Sequence, residues 1–119
     1  MASRMLVTIT RGPEDPDRVT VAFVMANAAL SLERRVVVLL SSEGVRLGVQ
    51  RVLDAVAEPG LPPLAELVRT FLEGGGEIWA CTPCVEKRRL GDVLLPEIRK
   101  VGAVAAMEFV LDDGVALSF

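Results

Sequence analysis

Hydrophobic and polar positions along the chain change between two periods, and this pattern predicts alternating strands and helices. Unbroken apolar, β-branched runs at residues 5–10 and 36–40 are typical of strands buried on both faces. Between these runs, apolar residues recur at helical spacing behind Asp15, a good N-cap residue, and Pro16, which suits the first helical position. The spacing therefore predicts a first helix from Pro16 to about Glu33.

The rest of the chain continues this alternation. Apolar spacing at 45–56 favours a helix, although Gly48 interrupts it, and the pattern at 64–72 predicts an amphipathic helix that three consecutive glycines end. The remaining predicted elements are a strand at 77–80, a short helix at 83–90, a strand at 97–101, a helix at 103–112 and a strand at 115–119. Because the crossovers are too long for hairpins, we predict one α/β domain over residues 1–119, with a parallel sheet and helices on both of its faces.

Open parallel sheets bind ligands beyond the carboxyl ends of their strands, so the residues there are candidates for function. This edge collects the residues that follow each strand: Thr10, Arg11 and Gly12; Ser41, Ser42, Glu43 and Gly44; Cys81; and Gly102. Gly12, Ser42 and Glu43 are candidate residues for orienting a ligand. Ordinary turn and helix-cap chemistry is the favoured role of Ser42 and Glu43.

The chain has two cysteines, Cys81 and Cys84, and both lie where the third predicted strand gives way to a helix. Unpaired backbone N–H groups and the positive end of a helix dipole stabilise a thiolate at such a position. A thiolate is a nucleophile, so Cys81 and Cys84 are the candidate catalytic residues. The alternative is simple packing, because free cysteine is among the residues most often buried.

Composition adds expectations about partners. Hydrophobic residues make up 51% of the chain and charged residues 24%, and the first helix carries Val21, Val24 and Met25 outside its main apolar face. No apolar run approaches the length of a membrane span, so we expect a homo-oligomer and no membrane partner. The net charge of −3, the single Trp and the absence of Tyr leave little with which to bind nucleic acid, which is not expected as a partner.

Histidine is absent from the sequence, and this excludes several chemistries. Ser-His-Asp and Cys-His catalysis need an imidazole, and two cysteines alone cannot complete a tetrahedral zinc site. We therefore expect neither a metal nor a cofactor. Residues 1–4 lead into a strand and not into a cleavable apolar stretch, so a cytoplasmic location is expected. In that reducing compartment a C-x-x-C pair is more often redox-active, sulfur-carrying or metal-binding than a structural disulfide.

The chain resembles the DsrE/DsrF-like family of small sulfur-relay proteins. It does so in the order of its elements, in the cysteine that ends the third strand, in the short basic helix that follows, and in the ending from Gly114 to Phe119. The resemblance covers nearly the whole chain and is most specific from Gly75 onward. It implies a three-layer α/β/α sandwich with a five-stranded parallel sheet, assembled as trimers, hexamers or hetero-oligomers. It also implies sulfur donor and acceptor proteins as partners.

By this resemblance Cys81 carries a persulfide, accepting sulfane sulfur from one protein and passing it to the next. Cys84 matches a second cysteine of the family pattern and Arg88 matches its arginine, whereas Arg89 stands where glycine is usual. With Lys87, these arginines bring positive charge that would stabilise anionic sulfur. Cys84 could attack the Cys81 persulfide to form a disulfide, or it could pack without reacting. Two other functions stay open: dithiol oxidoreductase, and a non-catalytic binding or assembly module with structural thiols.

Overall fold

A computed structural model describes residues 3–119. Met1 and Ala2, which belong to the N-terminal segment considered above for a leader peptide, lie outside the described residues. The elements are β1 (Arg4–Ile9), α1 (Pro16–Ser31), β2 (Arg35–Leu40), a 3₁₀ segment (Ser42–Gly48), α2 (Gln50–Asp54), α3 (Leu64–Glu73), β3 (Glu77–Cys81), α4 (Thr82–Lys87), β4 (Arg99–Val101), α5 (Ala103–Leu111) and β5 (Gly114–Ser118). The strands form one parallel sheet in the order β4-β3-β2-β1-β5, which confirms the predicted five-stranded parallel sheet.

Helices cover both faces of this sheet and complete the predicted three-layer sandwich. α1 and α3 cover one face, where Phe23 and Phe71 meet edge to face with ring centroids 5.8 Å apart. α5 covers the other face, where Phe109 meets Trp79 of β3 in the same way at 5.5 Å. α5 packs mainly over β1 and β5, so the same face is less covered above β2, β3 and β4. No helix within residues 3–119 is long and apolar enough to cross a membrane.

α1 carries apolar side chains on its solvent side as well as on its buried side. As predicted, Asp15 caps it, and its carboxylate accepts a hydrogen bond from the Arg18 N–H at 3.3 Å. On the outer side Val21, Val24 and Met25 are 37%, 40% and 45% exposed. A lone copy of the chain leaves this apolar surface in water.

The structure differs from the sequence prediction at residues 45–56. In place of one helix, the chain forms the 3₁₀ segment, extends at Val49 and then forms the short α2. Val49 pairs with Leu94 in an isolated antiparallel bridge, and the Leu95 N–H donates to the Gly48 carbonyl at 2.8 Å. A Cβ at Gly48 would lie 2.9 Å from the Ile98 side chain. Contacts with the distant segment before β4 therefore override the helical spacing.

α4 is shorter than the sequence pattern suggests, because it ends at Lys87 and not at Leu90. Arg89 has a φ of 55°, and the Leu90 N–H donates to the Val85 carbonyl at 3.1 Å. This is the Schellman arrangement, in which a left-handed residue ends the helix and glycine is preferred. Since an arginine occupies that position here, the sequence lacked the glycine that would have predicted the end of α4.

Candidate functional site

Cys81 and Cys84 lie on either side of the junction between β3 and α4. Cys81 is the last strand residue and precedes α4 as its N-cap, and Cys84 lies in the first turn of that helix. Pro83 also lies in this turn, where its missing N–H loses no helical hydrogen bond. Both cysteines are free and half-buried. Each therefore keeps some contact with the outside of the molecule.

The main chain of Ser42 reaches Cys84 from the neighbouring strand end. The Ser42 N–H donates a hydrogen bond to Cys84 Sγ at 3.2 Å. Ser42 starts the 3₁₀ segment with a φ of 52°, in the left-handed region that residues other than glycine rarely adopt. It lies beside α4 because β2 and β3 are neighbours in the sheet and end at the same edge. The contribution of Ser42 to the site is thus a backbone N–H that stabilises charge on sulfur.

Glu43 links two arginines above the thiols. Arg88 donates from Nε and Nη2 to Glu43 Oε1 at 3.3 and 3.2 Å, and from Nη1 to the Cys84 carbonyl at 3.2 Å. Arg46 donates to the other oxygen of the Glu43 carboxylate. The hydrogen bonds from Arg46 and Arg88 hold the pKa of Glu43 below its usual value. Because the Arg88 side chain is only 13% exposed, this network fixes its guanidinium close to Cys84.

The two thiols have opposite pKa shifts. Burial raises the pKa of Cys81, and the Cys84 sulfur adds to the rise. Burial also acts to raise the pKa of Cys84, but the Ser42 N–H, the Cys81 thiol and the Arg88 guanidinium outweigh it, so the pKa of Cys84 lies below its usual value. Of the two thiols, Cys84 is therefore the more readily ionised. The Cys84 N–H and the Arg88 charge also act to lower the pKa of Cys81, but burial and the Cys84 sulfur outweigh them. The direction expected at a helix start is therefore found for Cys84 and not for Cys81.

Gly12 belongs to the site through its backbone. A Cβ at this position would lie 2.5 Å from the Glu43 carbonyl oxygen, so the loop after β1 approaches the 3₁₀ segment as closely as glycine allows. The Gly12 N–H is taken up by the Glu14 carboxylate at 3.0 Å. Gly12 thus positions Glu43 and offers no group of its own to a ligand.

The structure brings together all six residues singled out from the sequence, namely Gly12, Ser42, Glu43, Cys81, Cys84 and Arg88. Arg46 was missed, although it lies three residues after Glu43, the spacing of a charge pair on one helical turn. The role of the Ser42 N–H could not be predicted from the sequence, because a serine in the left-handed conformation has no sequence signature. Lys87 adds positive charge that lowers the pKa of Cys84.

The chemistry of the site follows from its donors. It holds two neighbouring thiols, of which Cys84 is the more readily ionised, and N–H and guanidinium groups that stabilise negative charge on sulfur. Such a pair can attack an electrophilic sulfur atom, as in thiol–disulfide exchange. Across residues 3–119, no three His, Cys, Asp or Glu side chains are grouped so that they could hold a metal ion.

Comparison with known proteins gives matches to one family model, one curated relative and several solved structures. The model of the DsrE/DsrF-like family matches residues 3–119. The uncharacterized protein MJ0760 of Methanocaldococcus jannaschii is 28% identical over 93 residues, which are 78% of this chain; the aligned part spans 34% of that relative's length. The ychN protein of E. coli has a crystal structure that aligns with a TM-score of 0.77 and 17% identity over 100% of both chains. MTH1491 of Methanobacterium thermoautotrophicum, a protein of unknown function, aligns with a TM-score of 0.73 and 21% identity over 98% of each chain.

Proposed function

Because this chain belongs to the DsrE/DsrF-like family, we propose that it is a cytoplasmic sulfur-relay protein that carries persulfide sulfur on Cys81, with Cys84 assisting or resolving. The single observation that carries the proposal is the hydrogen bond from the Ser42 N–H to Cys84 Sγ at 3.2 Å, which stabilises a thiolate next to the Cys81 thiol. Half-burial of both residues supports access by the sulfur atom of a partner. The proposed partners are a donor protein that presents a persulfide and an acceptor protein that presents a thiol.

In the loading step, Cys84 accepts the proton of Cys81 while the Cys81 sulfur attacks the outer sulfur of the donor persulfide. A new S–S bond forms on Cys81, the S–S bond of the donor breaks, and the donor sulfur leaves with the electron pair as a thiolate. The sulfane sulfur has moved between two thiols, so no external oxidant or reductant is needed. Arg88 and Lys87 then stabilise the anionic outer sulfur of the persulfide.

Unloading has two routes that differ in the sulfur attacked. An acceptor thiolate that attacks the outer sulfur takes it over, and Cys81 leaves as a thiolate that recovers a proton from Cys84. Alternatively, Cys84 gives the proton that it took in loading to the anionic outer sulfur and attacks Cys81 Sγ. A Cys81–Cys84 disulfide forms, the S–S bond of the persulfide breaks, and hydrosulfide leaves with the electron pair. In this second route the two cysteine sulfurs lose two electrons and the sulfane sulfur gains them as it becomes sulfide.

A second candidate function is dithiol–disulfide exchange by the C-x-x-C pair. The position of both cysteines at the start of α4, Cys81 as its N-cap and Cys84 in its first turn, favours it, because a disulfide requires two neighbouring cysteines. Such an enzyme would cycle between the dithiol and a disulfide without any third sulfur atom.

Mass spectrometry after reaction with an alkyl persulfide tests these functions. We expect the native protein to gain the mass of one sulfur atom on Cys81, located by fragmentation of the peptide. The Cys84→Ser variant should gain it more slowly, because Cys84 no longer accepts the Cys81 proton. Absence of added sulfur in both the native protein and the Cys84→Ser variant, or its presence on Cys84 alone, would overturn the proposal. A reversible Cys81–Cys84 disulfide that forms without release of hydrosulfide would favour dithiol exchange, and resistance of both thiols to alkylation until unfolding would favour the structural module.

We also propose that the chain forms a homo-oligomer, a trimer or a hexamer. The exposed apolar side chains of α1, which a second copy of the chain would cover, support this proposal. Oligomer formation is independent of the thiol chemistry and is tested separately.

A further inference from the structure

A cavity of about 550 Å³ lies on the α5 face of the sheet, beside that helix, where β2, β3 and β4 are less covered. Its walls carry three arginines, Arg4, Arg35 and Arg99, together with the rings of Trp79 and Phe109. A volume of this size is in the range of small-molecule sites. The thiol site does not include any of these side chains.

The register of the sheet brings four of these residues together from four strands, and α5 adds Phe109. Arg4 and Arg35 are the first residues of β1 and β2 and are partners in the parallel pairing, and Arg99 is the partner of Trp79. Paired residues of neighbouring strands point to the same face of a sheet. The three arginines therefore project to the face that carries Trp79 and, from α5, Phe109.

Aromatic rings hold the guanidinium groups in place. The guanidinium carbons of Arg4 and Arg35 each lie 5.2 Å from the centre of the Phe109 ring, and that of Arg99 lies 5.6 Å from the centre of the Trp79 ring. A guanidinium attracted to a ring in this way spends no N–H donor on the ring's carbon atoms as it would on a carboxylate, so its N–H groups can still bind an anion. Fixing the arginines in advance lowers the entropy that a ligand must overcome on binding.

Few of the N–H donors in this cavity are already used. Arg35 donates from Nε and Nη2 to Glu77 at 2.9 and 3.3 Å, and Arg4 contacts Asp112 from Nη2 at 3.3 Å. Arg99 has no carboxylate within 4.0 Å in the part of the chain that the structure describes. Since each guanidinium has five N–H donors, most of the donors remain for a ligand.

We propose that this cavity binds a small molecule through a phosphate group that the N–H groups of Arg99 and Arg35 hold above Trp79. A phosphate monoester has up to two negative charges and three outer oxygens, so it can satisfy more than one guanidinium at once. Glu108 and Asp112 also lie on the walls of the cavity, and their negative charges repel an anion that binds there. Asp112 is the carboxylate most easily displaced, because its side chain is 76% exposed and meets Arg4 through one contact.

Trp79 is the only tryptophan and the chain has no tyrosine, so its fluorescence reports directly on this cavity. Phenyl phosphate titrated into the full native chain should give a saturable change, with calorimetry as a second readout. We expect Arg99→Ala to weaken binding about tenfold or more, as loss of a charge-assisted hydrogen bond would. Asp112→Asn should strengthen binding, and Arg51→Ala, which removes an exposed positive charge on α2, should leave it unchanged.

Three results would overturn the proposal. One is the absence of saturable binding by both readouts, and another is equal binding by the Arg99→Ala variant. The third is equal affinity for benzoate, which would make the site one for carboxylates. Binding that persists in the Cys81→Ser, Cys84→Ser double variant supports the proposal as a property separate from the thiols.

Discussion

The backbone N–H of Ser42 donates to Cys84 Sγ across 3.2 Å, although the two residues are 42 positions apart in the chain. Ser42 makes this hydrogen bond from a left-handed backbone conformation, with a φ of 52°. A left-handed residue other than glycine costs about 1 kcal/mol or more, and such positions cluster at functional sites. The strained serine and the lowered pKa of Cys84 are therefore two parts of one arrangement.

The first prediction concerns the pH at which each thiol reacts. A lowered pKa means that Cys84 is ionised at lower pH than a free thiol, and the raised pKa of Cys81 has the opposite effect. The alkylation rate of the Cys81→Ser variant, which retains Cys84, should therefore rise at lower pH than that of the Cys84→Ser variant. Iodoacetamide labelling followed by mass spectrometry across pH measures both profiles. If the two profiles coincide or come in the reverse order, Cys84 is not the more readily ionised thiol.

The second prediction concerns Arg88, whose guanidinium holds both Glu43 and the Cys84 carbonyl. Arg88→Ala should move the alkylation profile of Cys84 to higher pH, because a positive charge that stabilises the thiolate is lost. It should also lower the free energy of unfolding by about 1–3 kcal/mol, the range for hydrogen bonds made by a charged group. Arg69→Ala, which removes the same charge on α3, is the control. If both variants change the profile equally, Arg88 has no specific role.

The third prediction uses Gly44, at the close contact between the 3₁₀ segment and β1. A Cβ at Gly44 would lie 2.2 Å from the Ile9 carbonyl oxygen, so the backbone has to shift. We expect Gly44→Ala to destabilise the protein by about 1–3 kcal/mol, as overpacking does, and to slow alkylation of Cys84 by displacing Ser42. Urea denaturation measures the first effect. Gly102→Ala, whose new Cβ meets no atom within 4 Å, should change stability by no more than about 0.5 kcal/mol, and an equal loss in both variants would contradict the contact.

The fourth prediction is a gain of stability at the end of α4. Arg89 has a φ of 55° at the position of a Schellman arrangement where glycine is preferred. Arg89→Gly should therefore raise the free energy of unfolding by about 1 kcal/mol, because the strain of the side chain is removed. Lys87→Gly, at the last residue of α4, should lower the free energy of unfolding by about 1 kcal/mol, because glycine is a poor helix former. Changes of the same sign in both variants would show that chain flexibility, and not the left-handed position, decides the result.

The sequence predicted the parts of the molecule that depend on long, regular patterns. The apolar run of β2 and the capped start of α1 are local signals, and the predicted strand at 77–80 likewise placed Cys81 at a strand end. The parts that it missed depend on contacts between distant segments. Gly48 and Leu95 break the expected helix by pairing across 47 positions, and Ser42 meets Cys84 only when β2 and β3 are adjacent. Local propensity does not encode such contacts, because tertiary packing overrides it.

The fifth prediction concerns assembly through the outer side of α1 and the β5 edge. Val115 and Leu117 of β5 pair with Met5 and Val7, so they lie on the sheet face that α1 covers, and both are exposed. β5 is an edge strand without a charged residue, and such an edge readily pairs with another chain. The native protein should therefore sediment as a multiple of its 12.8 kDa monomer.

A charge placed within this apolar surface should separate the copies. Met25→Glu should shift the sedimenting species toward the monomer, because burying an unpaired carboxylate at an interface is costly. Gln50→Glu adds the same charge at an exposed position on α2 and should leave the assembly unchanged. A native chain that stays monomeric at micromolar concentration would leave the apolar side of α1 without a partner of its own kind. An oligomer that Met25→Glu does not weaken would place the interface elsewhere, with the apolar side chains of α5, Val104, Met107 and Leu111, as the next surface to substitute.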